Sequence, residues 1–232
     1  MAHRLLPFRQ YDENDVVNLF ALRTDTNLLT TKPAADGDHC DGVFVGVSNG
    51  NAGDSVIDLD DGQDVFFQNY SSPLGQNPYP TNPMKVEAAA SGSSVLGVTL
   101  KATLSIDENN EQLLFNPVKK DELQAVLSGQ TVPVLSKGVV TLTSKAMEGA
   151  EHADGPGAGC APGNLLVAGV TAGMVSGVSV AGAVASSYTQ ASEQTVLGQI
   201  IATGYREAQT STASAAGTDV AEGWYFICKI DC

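Results

Sequence analysis

Apolar and polar residues alternate with period two over much of this chain, and few stretches carry the period of an amphipathic helix. The clearest alternation starts at Ser94, where SVLGVTLKATLSI runs into the acidic turn DENNE; QLLFN follows, and the two runs read as a hairpin. TVPVLSKGVVTLTS at 131–144 reads as two strands hinged at Lys137-Gly138. QTVLGQIIATGY at 194–205 and GWYFICKI at 223–230 are strand-like through their β-branched and aromatic content. Upstream, GVFVGV at 42–47 and DVFFQNY at 64–70 are further strand candidates between Asp-rich turns, and the four prolines of SSPLGQNPYPTNP at 71–83 require an extended loop.

Two segments predict helix. Asp12 is placed to cap, Glu13 and Asp15 would occupy a first turn that favours carboxylates, and Val16, Leu19, Phe20 and Arg23 follow at helical spacing. Asn116-Pro117 starts a second helix, VKKDELQAVL, with proline at the first helical position and Gly129 beyond its end.

The run LLVAGVTAGMVSGVSVAGAVA, Leu165–Ala185, has no charge over 21 residues and raises the question of a membrane span. Four glycines dilute it, its apolar content is mostly Val and Ala, and Lys145 and Arg206, its nearest basic flanks, are about twenty residues away. As a helix the glycines alone would cost about 4 kcal/mol relative to alanine. Gly169, Gly173 and Gly177 fall at GxxxG spacing, which arises readily by chance in a chain with 24 glycines. The same residues read better as two short strands joined at Thr171-Ala172-Gly173.

The pattern therefore predicts a mainly β protein, a barrel or sandwich with a short N-terminal helix or arm and one accessory helix near 117–127. Its expected organisation is an N-terminal arm at 1–35, an acidic, loop-rich β region at 36–93, and a barrel-like domain at 94–232 with a Gly/Pro-rich insertion at 149–163. With 43% hydrophobic residues in 232, the chain has enough apolar side chain for a substantial core.

Charge changes the picture by its placement. The net −14 arises in residues 33–84, with eight Asp and no Lys or Arg, and in 146–232, where eight acids face only Arg206 and Lys229. Such a distribution lacks the basic footprint of nucleic-acid binding and disfavours an anionic membrane surface. Pro7 and Arg9 interrupt the N-terminal apolar residues before they reach signal-peptide length, so synthesis in a cytoplasm, with no export, is expected.

Candidate chemistry is sparse. His3, His39 and His152 lie in loop-like or terminal sequence, and no nucleophile elbow, papain-type cysteine context or HExxH motif accompanies them. An enzyme is not expected, and no cofactor is implied. Asp58, Asp60, Asp61 and Asp64 are weak candidates for a hard cation, but glycine falls at the fifth loop position and no Glu stands at the twelfth, so the EF-hand pattern fails. DGDHCDG at 36–42 could recruit a metal through His39 and Cys40, but a polar loop accounts for it. Cys40, Cys160, Cys228 and Cys232 lack metal-type spacing and read as free thiols, with one disulfide left open.

The opening PFRQYDENDVVNLFAL resembles the N-terminus of structural proteins of tailed bacteriophages, marine ones in particular. The block LGVTLKATLSIDENNEQLLFNPVKKDELQAVLSGQTVPVLSKGVVTL is similar to the same proteins in its order of strand, acidic turn, FNP helix start and GQxVPxLxKG. VLGQIIATG followed by GWYFICKID resembles the β-barrel end of head decoration, or capsid cement, proteins. The resemblance implies a structural virion protein on the capsid exterior, bound to the major capsid protein and cementing the shell. It also implies self-association, as a trimer or as clusters at local symmetry axes, and an N-terminal arm whose capsid contacts would be Phe8, Tyr11, Val16, Leu19 and Phe20. The alternative is a virion-surface adhesion or fibre-type module that binds host glycans.

Overall fold

The computed structural model describes residues 4–22, 41–47, 85–103, 107, 111, 113–126, 130–150, 158–179, 196–206 and 223–232. The protein is mainly β, built from two mixed sheets, one of them curled into a half-barrel, with one short helix. In the first sheet, β1 (Leu5–Gln10), β8 (Lys137–Thr143), β13 (Gly223–Asp231), β12 (Val196–Arg206), β10 (Leu165–Ala168), β11 (Val175–Val178) and β9 (Met147–Glu148) lie side by side in that order. In the second the order is β2 (Val16–Val17), β7 (Val134–Leu135), β6 (Val95–Thr99), β4 (Phe44–Val47), β5 (Lys85–Ala88) and β3 (Ala21–Leu22). Its edge strands β2 and β3 are joined through Asn18, Leu19 and Phe20, and Ala21 bridges Thr131 just before β7, so the two edges of this sheet curl toward each other.

Alternation explains the main core. β13 buries Phe226, Cys228 and Ile230, every second residue, and β8 contributes Val140 and Leu142 to the same cluster. Phe44, Val98 and Leu135 meet them from the second sheet, so the cluster is shared by both sheets. Burial of each large apolar side chain stabilises the fold by about 1.5–3 kcal/mol. A second cluster, Leu22, Val43, Val45, Val86, Val126, Val132 and Val134, takes the alternate residues of β4 and β7 and draws the rest from β3, β5 and the chain outside the strands. Strands β4 and β7 are thus buried on both faces, Phe44 and Leu135 in one cluster, Val45 and Val134 in the other, and their sequences read as unbroken apolar runs.

The uncharged run at 165–178 forms an antiparallel hairpin, β10 and β11, pairing Leu165 with Val178 and Ala168 with Val175; residues 180–185 lie outside the described residues. Its turn joins the two sheets: Gly173 N donates to Ala89 O at 2.8 Å, and Phe44 N donates to Gly173 O at 3.1 Å. The three glycines at GxxxG spacing each admit a different neighbour. A Cβ on Gly169 would stand 2.8 Å from the Glu148 carboxyl carbon, one on Gly173 would stand 2.6 Å from a Val43 methyl, and one on Gly177 would stand 2.0 Å from Gly159 O.

The Glu148 carboxylate fills the space left by Gly169, accepting hydrogen bonds from the backbone N–H of Val170, at 3.0 Å, and of Thr171. Desolvation pushes its pKa up, but the bonds from Thr171 and Val170 together outweigh that, and the carboxyl sits below its usual range. A depressed folded pKa contributes stability that is present above the unfolded value and lost as pH falls through the folded one. Glu148→Gln is therefore expected to cost about 1 kcal/mol at pH 7, the exposed setting limiting the loss. Melting curves of the two proteins should converge as pH drops below the ordinary glutamate range; a difference that does not depend on pH would refute the role.

Two sequence expectations need correction. The N-terminal helix is a single 3-10 turn, Glu13–Asp15, although Asp12 caps it as expected, its Oδ1 accepting from Asn14 N at 2.9 Å. Val16–Val17 then extends because β7 offers ladder partners: Val16 pairs with Leu135 and Val17 with Val134, and the β-branched side chains suit that geometry. The strand expected at QLLFN is replaced, over its described residues, by a 3-10 turn at Leu113–Phe115. Ala102 bridges Ala125 instead, Leu113 packs with both of them, and the chain leads directly into α1 (Pro117–Glu122), capped by the Asn116 side chain. The acidic turn before it is closed by Asp107, whose Oδ1 accepts from Glu111 N at 2.8 Å.

The segments expected as arm, acidic region and barrel domain share sheets. The second sheet draws β2 and β3 from 1–35, β4 and β5 from 36–93, and β6 and β7 from 94–232, while β1 joins the first sheet at its edge. The strand candidate 64–70 lies outside the described residues.

Candidate docking surface

The surface follows from how residues 4–22 are threaded. Leu5 and Leu6 pair with Leu142 and Thr141 of β8, but the next partners are Arg9 with Val140 and Gln10 with Val139, so Pro7 and Phe8 bulge out of the ladder. Pro7 has no N–H to give and belongs on an edge strand for that reason. Arg9 Nε donates to Leu6 O at 3.0 Å and closes the bulge. Past Tyr11 the chain turns and crosses to the second sheet, where Ser136 N and Oγ both donate to Asp15 O at 2.9 Å. Val132 N to Phe20 O and Leu22 N to Gln130 O continue the stitching to the end of this segment.

This path separates the five expected contact residues. Phe8, at 63% exposure, Tyr11, at 39%, and Leu19, at 60%, face solvent. Val16 packs against the main core and Phe20 against the second one. The apolar spacing that read as one helical face divides among two cores and the surface, because the backbone is extended and each residue answers to its own strand neighbour.

Phe8, Arg9 and Tyr11 form a ridge at the edge of the first sheet. One open hollow, about 570 Å³, is lined by Pro7, Arg9, Gln10 and Tyr11. A second, about 540 Å³, shares Arg9 and Tyr11 and runs toward Val16, Leu100 and Pro133. Aromatic residues and arginine are the side chains that most often dominate binding energy at protein interfaces. Arg9 was not among the expected contacts; the signal for it was Pro7 inside an otherwise strand-like LLPFRQ, which marks an edge and a bulge.

The remaining candidates place as follows. Asp58, Asp60, Asp61, Asp64, His3, His39, His152 and Cys40 lie outside the described residues. Among the described residues, no group of three or more His, Cys, Asp or Glu side chains is placed to hold a metal ion. Cys160 and Cys228 are free thiols within the main core. Burial, with a smaller contribution from the neighbouring Cys160, pushes Cys228 to about 12, and burial raises Cys160. Cys232 is pushed to about 11 by desolvation and then by Asp231. Thiols held in this state are poor nucleophiles at neutral pH. Among the described residues no helix is long and apolar enough to cross a membrane. Comparison of the chain with protein-family models, curated proteins and solved structures finds no match.

Proposed function

We propose that this chain is a structural virion protein that binds the outer surface of a viral capsid and cements the shell, with Phe8, Arg9 and Tyr11 as its anchor. The observation that carries the proposal is the exposed edge from Phe8 to Tyr11, where Phe8 lies in the β1 bulge, Arg9 follows it and Tyr11 stands just past the strand, on a segment resembling the N-terminus of phage structural proteins. The stitching of residues 4–22 into both sheets supports a rigid docking edge in place of a loose arm.

Magnitudes favour a clustered binder. Burying the exposed parts of Phe8 and Tyr11 is worth about 1.5–3 kcal/mol. Association costs about 4–15 kcal/mol, so one copy alone would hold weakly. Several copies around a local symmetry axis bind through effective concentration, without new contacts.

Copy number in purified virions tests the proposal. Quantitative mass spectrometry is expected to give a small fixed ratio to the major capsid protein, corresponding to hundreds of copies per head. A few copies per particle would overturn the cement function and favour the glycan-binding fibre alternative.

A further inference from the structure

The second hollow beside the ridge takes its apolar lining from Val16, Leu100 and Pro133; the larger part of its lining is polar and includes Arg9 and Lys101, from separate elements, and one carboxylate, Glu13. At about 540 Å³ it has room for a few residues of extended chain.

One backbone feature points into this cleft. Helix α1 ends in a Schellman motif: Ala125 N donates to Lys120 O at 3.0 Å and Gln124 N to Asp121 O at 3.1 Å. The motif requires a left-handed residue after the helix cap, where glycine is usual, but the position holds Gln124 at φ 50°. Left-handed backbone brings the Cβ of a side-chain-bearing residue against the following carbonyl and is unfavourable for it. Gln124 lines this cleft and also a neighbouring hollow with Lys101, Lys120 and Asp121. The Gln124 side chain is exposed, and its amide can both donate and accept.

Charge identifies the occupant. The chain carries −14 overall, and an acidic partner is repelled by most of its surface. In this cleft two cations, Arg9 and Lys101, outnumber one carboxylate, Glu13; the adjoining hollow adds Lys120 and Asp121, which balance each other. We infer that the cleft of Arg9, Lys101 and Gln124 receives an extended segment of a partner protein, with an apolar side chain against Val16, Leu100 and Pro133 and an acidic one between Arg9 and Lys101. The inference rests on the docking function proposed above and names the chemistry of the partner's contacting segment.

The test uses the whole chain and capped peptides. In NMR titrations, Ac-Glu-Leu-Glu-Leu-NH2 is expected to shift the amides of Lys101 and Gln124, whereas Ac-Lys-Leu-Lys-Leu-NH2 shifts them at least fivefold less. Lys101→Glu should weaken the acidic peptide at least fivefold. Gln124→Gly should also weaken it while raising the melting temperature, so lost binding cannot be attributed to lost folding. Equal shifts from both peptides, shifts confined to other residues, or unchanged binding by both variants would overturn the inference. Virions retaining full occupancy with Lys101→Glu would overturn it while leaving the ridge intact, whereas loss of occupancy with changes at Phe8 would not follow from the cleft.

Discussion

Replacing Phe8 and Tyr11 together by aspartate is expected to remove the chain from capsids while leaving its melting temperature within about 2 °C of the parent. Both side chains are already turned to water, Phe8 at 63% and Tyr11 at 39% exposure, so the folded chain loses little. The capsid complex loses about 1.5–3 kcal/mol of apolar burial, the part of the two side chains that is exposed in the free chain, and also desolvates two carboxylates. At about 1.4 kcal/mol per tenfold, the apolar part alone is about ten- to a hundredfold in affinity per copy. Occupancy measured on sedimented heads checks it, and retention of the double variant at parental levels would remove the ridge from the docking surface. Leu19→Asp is a further exposed test. Phe20→Asp is not equivalent: Phe20 packs against the second core, so aspartate there would destabilise the fold and give a loss of attachment with no bearing on docking.

Gly177→Val is expected to produce the largest loss of stability. A Cβ at Gly177 would lie 2.0 Å from Gly159 O and 3.3 Å from Ile200 Cδ1, and a Cβ at Gly159 would meet Gly177 O at 2.2 Å. The closest obstacle is backbone on both sides, which has no rotamer to move aside. Making room means displacing the turn Ala158–Cys160, and with it Cys160 from the main core. Overpacking costs about 1–3 kcal/mol where side chains can adjust, and more where they cannot. A loss of at least about 3 kcal/mol, or roughly 6–12 °C in melting temperature, is expected. Val170→Ala, at the exposed tip of the same hairpin, should stay within about 0.5 kcal/mol of the parent. A Gly177→Val melt within 2 °C of the parent would show that the two backbones do not meet.

The strands were legible where a single physical demand dominates. Phe226, Cys228 and Ile230 alternate because one face of β13 meets the core, and the β-branched and aromatic content of GWYFICKI marked it as a strand. Asn116-Pro117 marked the start of α1 because the cap and the fixed proline φ are local. The failures came where distant partners compete with local pattern. Val16, Leu19 and Phe20 have helical spacing, but β7 and the 130–132 segment supply hydrogen bonds that hold them extended. QLLFN has strand composition, yet Ala102 already bridges Ala125, and Leu113–Phe115 closes on itself.

The candidate surface was half legible. Phe8 and Tyr11 stand out as aromatic residues among charges near the start of the chain, and both are exposed. Arg9 acquires its place only through the bulge, and the cleft only through the meeting of β1, the chain after β6 and the end of α1.

The sequence by itself determined that this is a mainly β protein, that its charge excess sits in two segments, and that the uncharged run at 165–178 is too rich in glycine and too poor in large apolar residues for a stable helix. These follow from local propensity, spacing and composition. Only the tertiary structure decided that β10 and β11 join the two sheets through Gly173, and that Gly169, Gly173 and Gly177 are small for three different reasons: a carboxylate, a valine methyl and a backbone carbonyl. A glycine shows only that space is needed; what occupies the space is set by residues far away in the chain.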